Sequence, residues 1–449
     1  MRGPRPRGSG GLSSPTRSTN GAQAGAGSTT WAPRPPVEER LAAAGLPPLP
    51  RSAWLEIDLE ALAGNLEVVR ELAGPGIAVH PVVKADAYGH GAVPVARALA
   101  AAGADGFCVA AFDEAIQLRD AGIELPILVL FPIPAGLIPE AARRRIAVTV
   151  GDDQLLAEIG AAAAQPALDV HLEVETGLGR GGFEVTQLPR AAAQIAVAPG
   201  LRLAGLWTHL QAAEDADLTA LQLQRFDAAA SALEEAGTQL PARHAAASGG
   251  LLLGNVASLD AVRPGLAVYG LLPDEIVDQL LPPIAKRLRP VLSLLARPVR
   301  VADLPAGWGI SYGPTFRTAR PSRIATLPLG YGDGWPRALS NRAAALVRGR
   351  RVPLVGNVAM DAVMADVTDV PGPPVSVDDE LVLIGAQGDA AIPVAELADL
   401  RGTNSWEVVT AMAARLPRVY HAPSGLRGIR TLVTVESLPL EALPMARHR

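Results

Sequence analysis

The sequence predicts a β/α barrel, (β/α)8, followed by a mostly antiparallel β domain. Three observations carry this prediction. From Trp54 to about residue 270, strand-like and helix-like stretches alternate through about eight units. The strands are unbroken apolar runs rather than strict alternations, the pattern of parallel strands covered on both faces. After about residue 285 the helical period fades, and β-branched segments alternate with Gly, Pro and Asp turns. Three parts are therefore expected: a disordered extension at 1–50, a barrel at 51–285 and a β-rich domain at 286–449.

Residues 1–50 are rich in Gly, Pro, Ser, Thr and Arg and poor in large apolar residues. Such a segment buries too little surface to offset its ordering entropy. Its arginines raise the idea of a targeting peptide, but no apolar stretch follows as a secretory signal requires, and a simply extended start is favoured over an Arg- and Ser-rich transit peptide. The barrel units then run in order. WLEIDL (54–59) is a strand, and 59–74 a helix with Leu59, Leu62, Leu66, Val69 and Leu72 on one face. VHPVVK and FCVAA are strands, each followed by a helix; Asp113 starts the second of these helices and Gly122 ends it. PILVLF, IAVTV, ALDVHLEVE, LRLAGLWT and PARHAAAS complete the strands. Helices IPEAARR, DDQLLAEIGAAAA, VTQLPRAAAQIA and the long 215–237 stretch lie between them.

Composition narrows the function classes. The net charge of −5 gives no basic field for nucleic acid. The single cysteine, Cys108, can form neither an internal disulfide nor a metal cluster, so no metal is expected. No run approaches the ~18 apolar residues of a membrane span. A cytoplasmic protein of enzyme size is expected.

The chemistry concentrates in a few motifs. VVKADAYGHG (82–91) ends an apolar run on Lys84 and breaks into a polar loop. A buried lysine is either paired or neutral, and a neutral amine is what Schiff-base chemistry requires. GLGRGG (177–182) has the spacing of a dinucleotide fingerprint but no acidic residue about 20 positions on. It reads better as a turn presenting Arg180, with Glu173 and Glu175 on one face of the preceding strand. HAAASGG (244–250) offers Ser248 and small residues to a phosphate, or is a plain turn. RPGLAVYG (263–270) offers Arg263 and the amides of Gly265 and Leu266. Tyr312, Tyr331 and Asp361 sit in turns of the β domain.

Lys84 with Tyr88, then Arg180, His209, Ser248, Arg263, Tyr312, Tyr331 and the Met360–Asp361 pair follow one another along the chain. This ordered set resembles the alanine racemases, fold type III pyridoxal-phosphate enzymes, above all in VVKADAYGHG, TGLGR and VRPG…YG. The resemblance implies racemisation of alanine, with D-alanine supplied to peptidoglycan. It implies a homodimer with active sites shared across the interface. Lys84 is implied as the Schiff-base lysine and one catalytic base, and Tyr312 as the other, from across that interface. Tyr88, Ser248 and the backbone of Gly265 and Leu266 are implied as phosphate contacts, and Tyr331 as a further cofactor contact. Arg263 is implied as the partner of the pyridine nitrogen, with His209 nearby. Arg180 and the Met360 N–H are implied as the substrate-carboxylate site, with Glu173 and Asp361 supporting, and Trp406 supports from beside the phosphate. The chemistry is coherent: inverting a carbon needs acid/base groups on opposite sides of it. Lysine and tyrosine have pKa values of ~10.4 and ~10, so a nearby cation must lower at least one of them for it to act as a base at neutral pH.

Three positions depart from the family pattern. Glu173 stands where a carbamylated lysine often braces the arginine. Ala247 replaces the usual asparagine before the phosphate-binding serine, and Trp406 replaces a tyrosine beside the phosphate. Other readings are a racemase of other or several amino acids, a related decarboxylase, and a weakly active cofactor-binding homologue. The decarboxylases of this fold rely on a cysteine in the β domain, whereas Cys108 lies in the barrel half. The large β domain with Tyr312 argues against a mere cofactor carrier.

Overall fold

Eight parallel strands form one sheet: Ala78–Val79, Phe107–Val109, Ile127–Val129, Ile146–Val150, Leu168–Glu173, Leu201–Trp207, Ala242–His244 and Ala261–Val262. Each is paired in parallel with its neighbour. The ring closes through the chain just after Val79. Cys108 N–H donates to Pro81 O at 3.0 Å, and Val83 N–H donates to Cys108 O at 2.9 Å. Phe107, Cys108 and Val109 are wholly buried there, as strands covered on both faces must be. This computed structural model describes residues 34–437 except 164, 257, 258 and 434.

The second domain is a twelve-stranded sheet among the described residues. Its strands pair antiparallel, with one parallel exception. That exception joins Ala53–Asp58 to Arg418–Ala422. The strand expected to open the barrel therefore lies in the second sheet, between Leu292–Ala296 and Arg418–Ala422. Its apolar run fits either sheet; only partners more than 200 positions away decide which. The chain thus enters through the second sheet and builds the barrel. It then returns, so the two domains share a continuous core.

The extension departs from the expected disorder where it is described; residues 1–33 lie outside the described residues. Val37–Ala43 is a helix with Val37 and Leu41 wholly buried. Its second anchor is ionic. Glu56, only 4% exposed, accepts from Arg34 at 2.6 and 3.0 Å, Arg40 at 2.6 Å and Trp54 at 3.1 Å. A buried carboxylate without cations would be strongly disfavoured. The segment orders because it supplies them. Two further helices, Val394–Arg401 and Ser405–Thr410, interrupt the β-rich domain. Asp274 accepts from the Ser405 N–H at 2.7 Å and from its hydroxyl at 2.8 Å, tying the second of these helices to the end of the barrel.

Burial alone would raise the Glu56 carboxyl, but Arg34 and Arg40 overcome it and hold it down at about 2. A carboxyl depressed in the folded state stabilises above its unfolded value of about 4.5, and that stability is lost as pH falls towards 2. Glu56→Gln should therefore lose about 3 kcal/mol at neutral pH and flatten the fall in stability below pH ~4.5. Urea denaturation across a pH series checks this; parallel acid profiles for variant and parent would refute it.

Candidate active site

Lys84 stands at the mouth of the barrel on a turn of unusual hand. Ala85, Asp86, Ala87 and Tyr88 have φ values of 51, 55, 54 and 52°, all left-handed. Each such non-glycine residue costs roughly 1–2 kcal/mol, so the run must be held from outside. One turn of helix brings residues four apart to one side, and Lys84 and Tyr88 both line the same cavity. Local groups hold part of the turn. Glu114 accepts the Ala85 N–H at 2.6 Å, and His90 Nδ1 lies 2.9 Å from both Ala87 O and Tyr88 O. Nδ1 therefore carries the proton and donates; burial keeps the imidazole neutral, its pKa down at about 4.

The second domain holds the rest. Arg418, 1% exposed, donates to Gly89 O at 3.0 Å, and the Tyr420 hydroxyl donates to His90 O at 3.0 Å. The fit leaves no room for side chains. A Cβ on Gly89 would sit 2.3 Å from Val409 O, and one on Gly91 would sit 2.0 Å from the Tyr420 hydroxyl. The polar motif after Lys84 is thus mostly a joint between domains.

The cavity holds about 210 Å³ and is lined by three cations, Lys84, Arg180 and Arg263, with His209, Ser248 and Tyr88. Leu130, Phe131, Trp207, Pro273 and Trp406 form apolar walls. No carboxylate is among the described lining residues. A larger hollow of about 420 Å³ behind the second sheet is lined by Arg34, Arg348, Glu56 and Asp379, whose charges already pair. In the smaller one, among the described residues, Lys84 and Arg263 have no carboxylate partner, and Arg180 is paired with Glu173.

Arg263 is 2% exposed, and burial pushes its guanidinium down to about 10, so it stays charged at neutral pH. Its partners are neutral. It donates to Thr208 O at 2.7 Å and His244 O at 2.9 Å, and to His244 Nδ1; Trp207 stacks on it at 4.8 Å. His244 must then carry its proton on Nε2, which lies 3.0 Å from His171 Nδ1. Burial, and then Arg263, hold His244 well below the usual imidazole value. Burial and the cations Arg263, Arg180 and Lys84 push His209 to about 3. Lys84 itself is lowered, first by burial and then by Arg180.

Around Ser248 the backbone converges. Its Oγ accepts the N–H groups of Gly265 at 2.9 Å and Ala267 at 3.2 Å. A Cβ on Gly265 would sit 2.7 Å from the Tyr88 hydroxyl, so glycine is needed for the approach. The 177–182 turn does present Arg180. Glu175 folds the turn by accepting the N–H groups of Gly177 and Gly179, and Glu173 accepts from Arg180 at 3.1 Å. Burial raises the Glu173 carboxyl even though Arg180 opposes it.

Tyr312, Tyr331, Met360 and Asp361 do not line this cavity within one chain. They gather on the second domain. Tyr312 is 77% exposed, its carbonyl accepting from Asn357 at 2.8 Å, and it follows Ser311 in the left-handed region. Met360 O accepts from Gly332 N–H at 2.9 Å, and Tyr331 N–H donates to Ala359 O at 3.0 Å. Asp361 accepts from Arg415 at 2.7 Å. Sequence reasoning missed Trp207, Phe131 and His244 as parts of the site. Trp207 carries a signal, two residues before His209 at a strand end; His244 has none of its own beyond opening HAAASGG.

Comparison with known proteins agrees with this architecture. Residues 57–273 match the family model for the alanine racemase N-terminal domain, and 291–420 that for the C-terminal domain. The chain is 43% identical over 376 residues to the alanine racemase of Symbiobacterium thermophilum, covering 82% of this chain and 97% of that one. It is 41% identical over 383 residues to that of Desulfosudis oleivorans, covering 82% and 96%. Among solved structures, the Bacillus anthracis alanine racemase with bound L-Ala-P superposes with a TM-score of 0.80 at 35% identity, covering 86% of this chain and 99% of that one. The Streptomyces coelicolor enzyme gives 0.76 at 37%, covering 82% and 98%. With a barrel, a second β domain and matches across both, the chain belongs to the alanine racemase family.

Proposed function

We propose that the chain interconverts L- and D-alanine using pyridoxal phosphate held in the Lys84 cavity. The observation that carries this is the cavity's charge: three cations and no carboxylate among its described lining residues, beside the hydroxyls of Ser248 and Tyr88. That donor set fits a phosphorylated aldehyde together with an amino-acid carboxylate. Ser248, Tyr88 and the backbone N–H groups of Gly265 and Leu266 would hold the phosphate, with Tyr331 adding a contact. Arg263 would face the ring nitrogen and His209 the ring. The bound group supplies electron withdrawal from the substrate's α-carbon.

The chain's residues do the rest. Arg180, braced by Glu173, takes the substrate carboxylate, aided by the Met360 N–H, with Asp361 supporting. Lys84 holds the cofactor and exchanges the α-proton at its Nζ on one face. Tyr312 of a second copy exchanges it at its hydroxyl on the other. Its exposure, and its absence from its own chain's cavity, support a homodimer with shared sites. Arg263 stays charged, so it would donate a hydrogen bond to the ring nitrogen without giving up its proton; that nitrogen would stay unprotonated, a weaker electron sink that limits side reactions. The proposed role is to supply D-alanine for peptidoglycan in the cytoplasm. Among the described residues no helix is long and apolar enough to cross a membrane.

The decisive experiment follows L-alanine in deuterium oxide with purified enzyme. D-alanine should appear carrying solvent deuterium at the α-carbon, and Lys84→Ala and Tyr312→Phe should each lower kcat by at least about 100-fold. D-alanine without deuterium, or undiminished turnover in either variant, would defeat the reading.

Because Lys84 is lowered, apoenzyme should capture pyridoxal phosphate covalently at a rate that rises with pH, with a midpoint below the ordinary lysine value of 10.5. Arg180→Leu should move that midpoint upward. Stopped-flow absorbance reads both, and a midpoint unmoved by the substitution would count against the coupling. Glu173, an anion already, should make activity indifferent to added bicarbonate. As its carboxyl is raised, KM for alanine should climb on acidification with a midpoint above the ordinary 4.5. Steady-state assays with and without bicarbonate test this, and strong bicarbonate activation would refute it.

A further inference from the structure

The strand Gly425–Arg430 lies beyond residue 420, where the family match ends. It pairs antiparallel with Arg418–Ala422, so that Arg430 sits opposite Arg418. Both arginines reach the left-handed turn after Lys84. Arg418 is buried and donates to the carbonyls of Gly89, Met412, Ala413 and Leu416, so its removal would strand several buried acceptors. Arg430 differs. Its side chain is 21% exposed, and its Nη1 donates to both carboxylate oxygens of Asp86, at 2.7 and 2.6 Å. Asp86 is the second residue of the left-handed run, and its Oδ1 also accepts the Ala92 N–H at 2.8 Å. The carboxylate is thus the one side chain in the run that faces the second domain with charge. Across 344 positions of sequence, Arg430 fixes the middle of a segment whose two ends, Lys84 and Tyr88, line the cavity.

The geometry points to Arg430 as a positioning residue for Lys84: through its ion pair with Asp86 it keeps the left-handed turn that sets Lys84 and Tyr88 side by side. This rests on the reading of Lys84 as the cofactor-binding amine. Without the pair, the unfavourable backbone can relax locally. A relaxation of about 1 Å at Lys84 is enough to cost on the order of 100-fold in rate. Global stability should change much less, because both side chains are partly exposed and can be solvated.

The test compares Arg430→Met, Arg430→Lys, Asp86→Asn and the double variant Asp86→Asn/Arg430→Met. Each is assayed as holoenzyme for kcat and KM, by thermal melting, and as apoenzyme for its rate of capturing pyridoxal phosphate. Arg430→Met should lower kcat and the capture rate by about 10–100-fold, with KM for alanine within about twofold. Arg430→Lys should recover most of the loss, and the double variant should be no slower than the slower single. Capture and kcat at parental values in Arg430→Met would overturn the inference. So would additive losses in the double variant, or losses matched only by a fall in melting temperature. Should Arg430→Met not fold, Arg430→Lys and Asp86→Asn decide by the same rates. Borohydride reduction and peptide mapping of the parent enzyme separate the two claims. Cofactor bound at a residue other than Lys84 defeats the functional reading; cofactor at Lys84 with unaltered variant rates defeats the clamp alone.

Discussion

A run of four left-handed, non-glycine residues persists only where its surroundings over-determine it. In this protein those surroundings come from the far end of the chain. Arg418, Tyr420 and Arg430 reach the turn from two adjacent strands of the second sheet, and Val409 O packs against Gly89. The barrel therefore cannot present Lys84 by itself. The entry strand Ala53–Asp58 makes the dependence mutual, since it belongs to the second sheet while leading directly into the barrel's first helix.

The electrostatics of the site follow from what is withheld from it. Arg263 is surrounded by carbonyls, a neutral imidazole and an indole face rather than by a carboxylate. Its charge is thereby satisfied in hydrogen bonds but not cancelled. That charge depresses His244 and His209 and adds to the burial that already disfavours their protonation. Arg180 is the partly exposed cation and is the one given an anionic partner, Glu173. The arrangement separates a fixed, uncancelled charge in the floor of the cavity from a braced one at its rim.

The same rule governs the N-terminal segment. Glu56 is buried in the second sheet, where an unpaired carboxylate would be untenable. Arg34 and Arg40 resolve it from a segment whose composition alone suggests disorder. A few apolar contacts, Val37 and Leu41, suffice once two cations are needed at a fixed place.

By itself the sequence determined what depends on local period and residue type. The alternating apolar runs and 3.6-residue helices announced the barrel, and the loss of helical period announced the β domain. The order of Lys84, Arg180, His209, Ser248 and Arg263 announced the site, because each falls at or near a strand end that the barrel gathers at one mouth. Tertiary structure decided the rest. Which sheet receives Ala53–Asp58 and which hand the turn after Lys84 takes are settled by partners hundreds of residues away, and which cations meet Glu56 by a fold-back of the chain from Arg34 and Arg40 that no local period announces. Hydrogen-bond pairing and charge burial act through space, whereas propensity and periodicity act only along the chain.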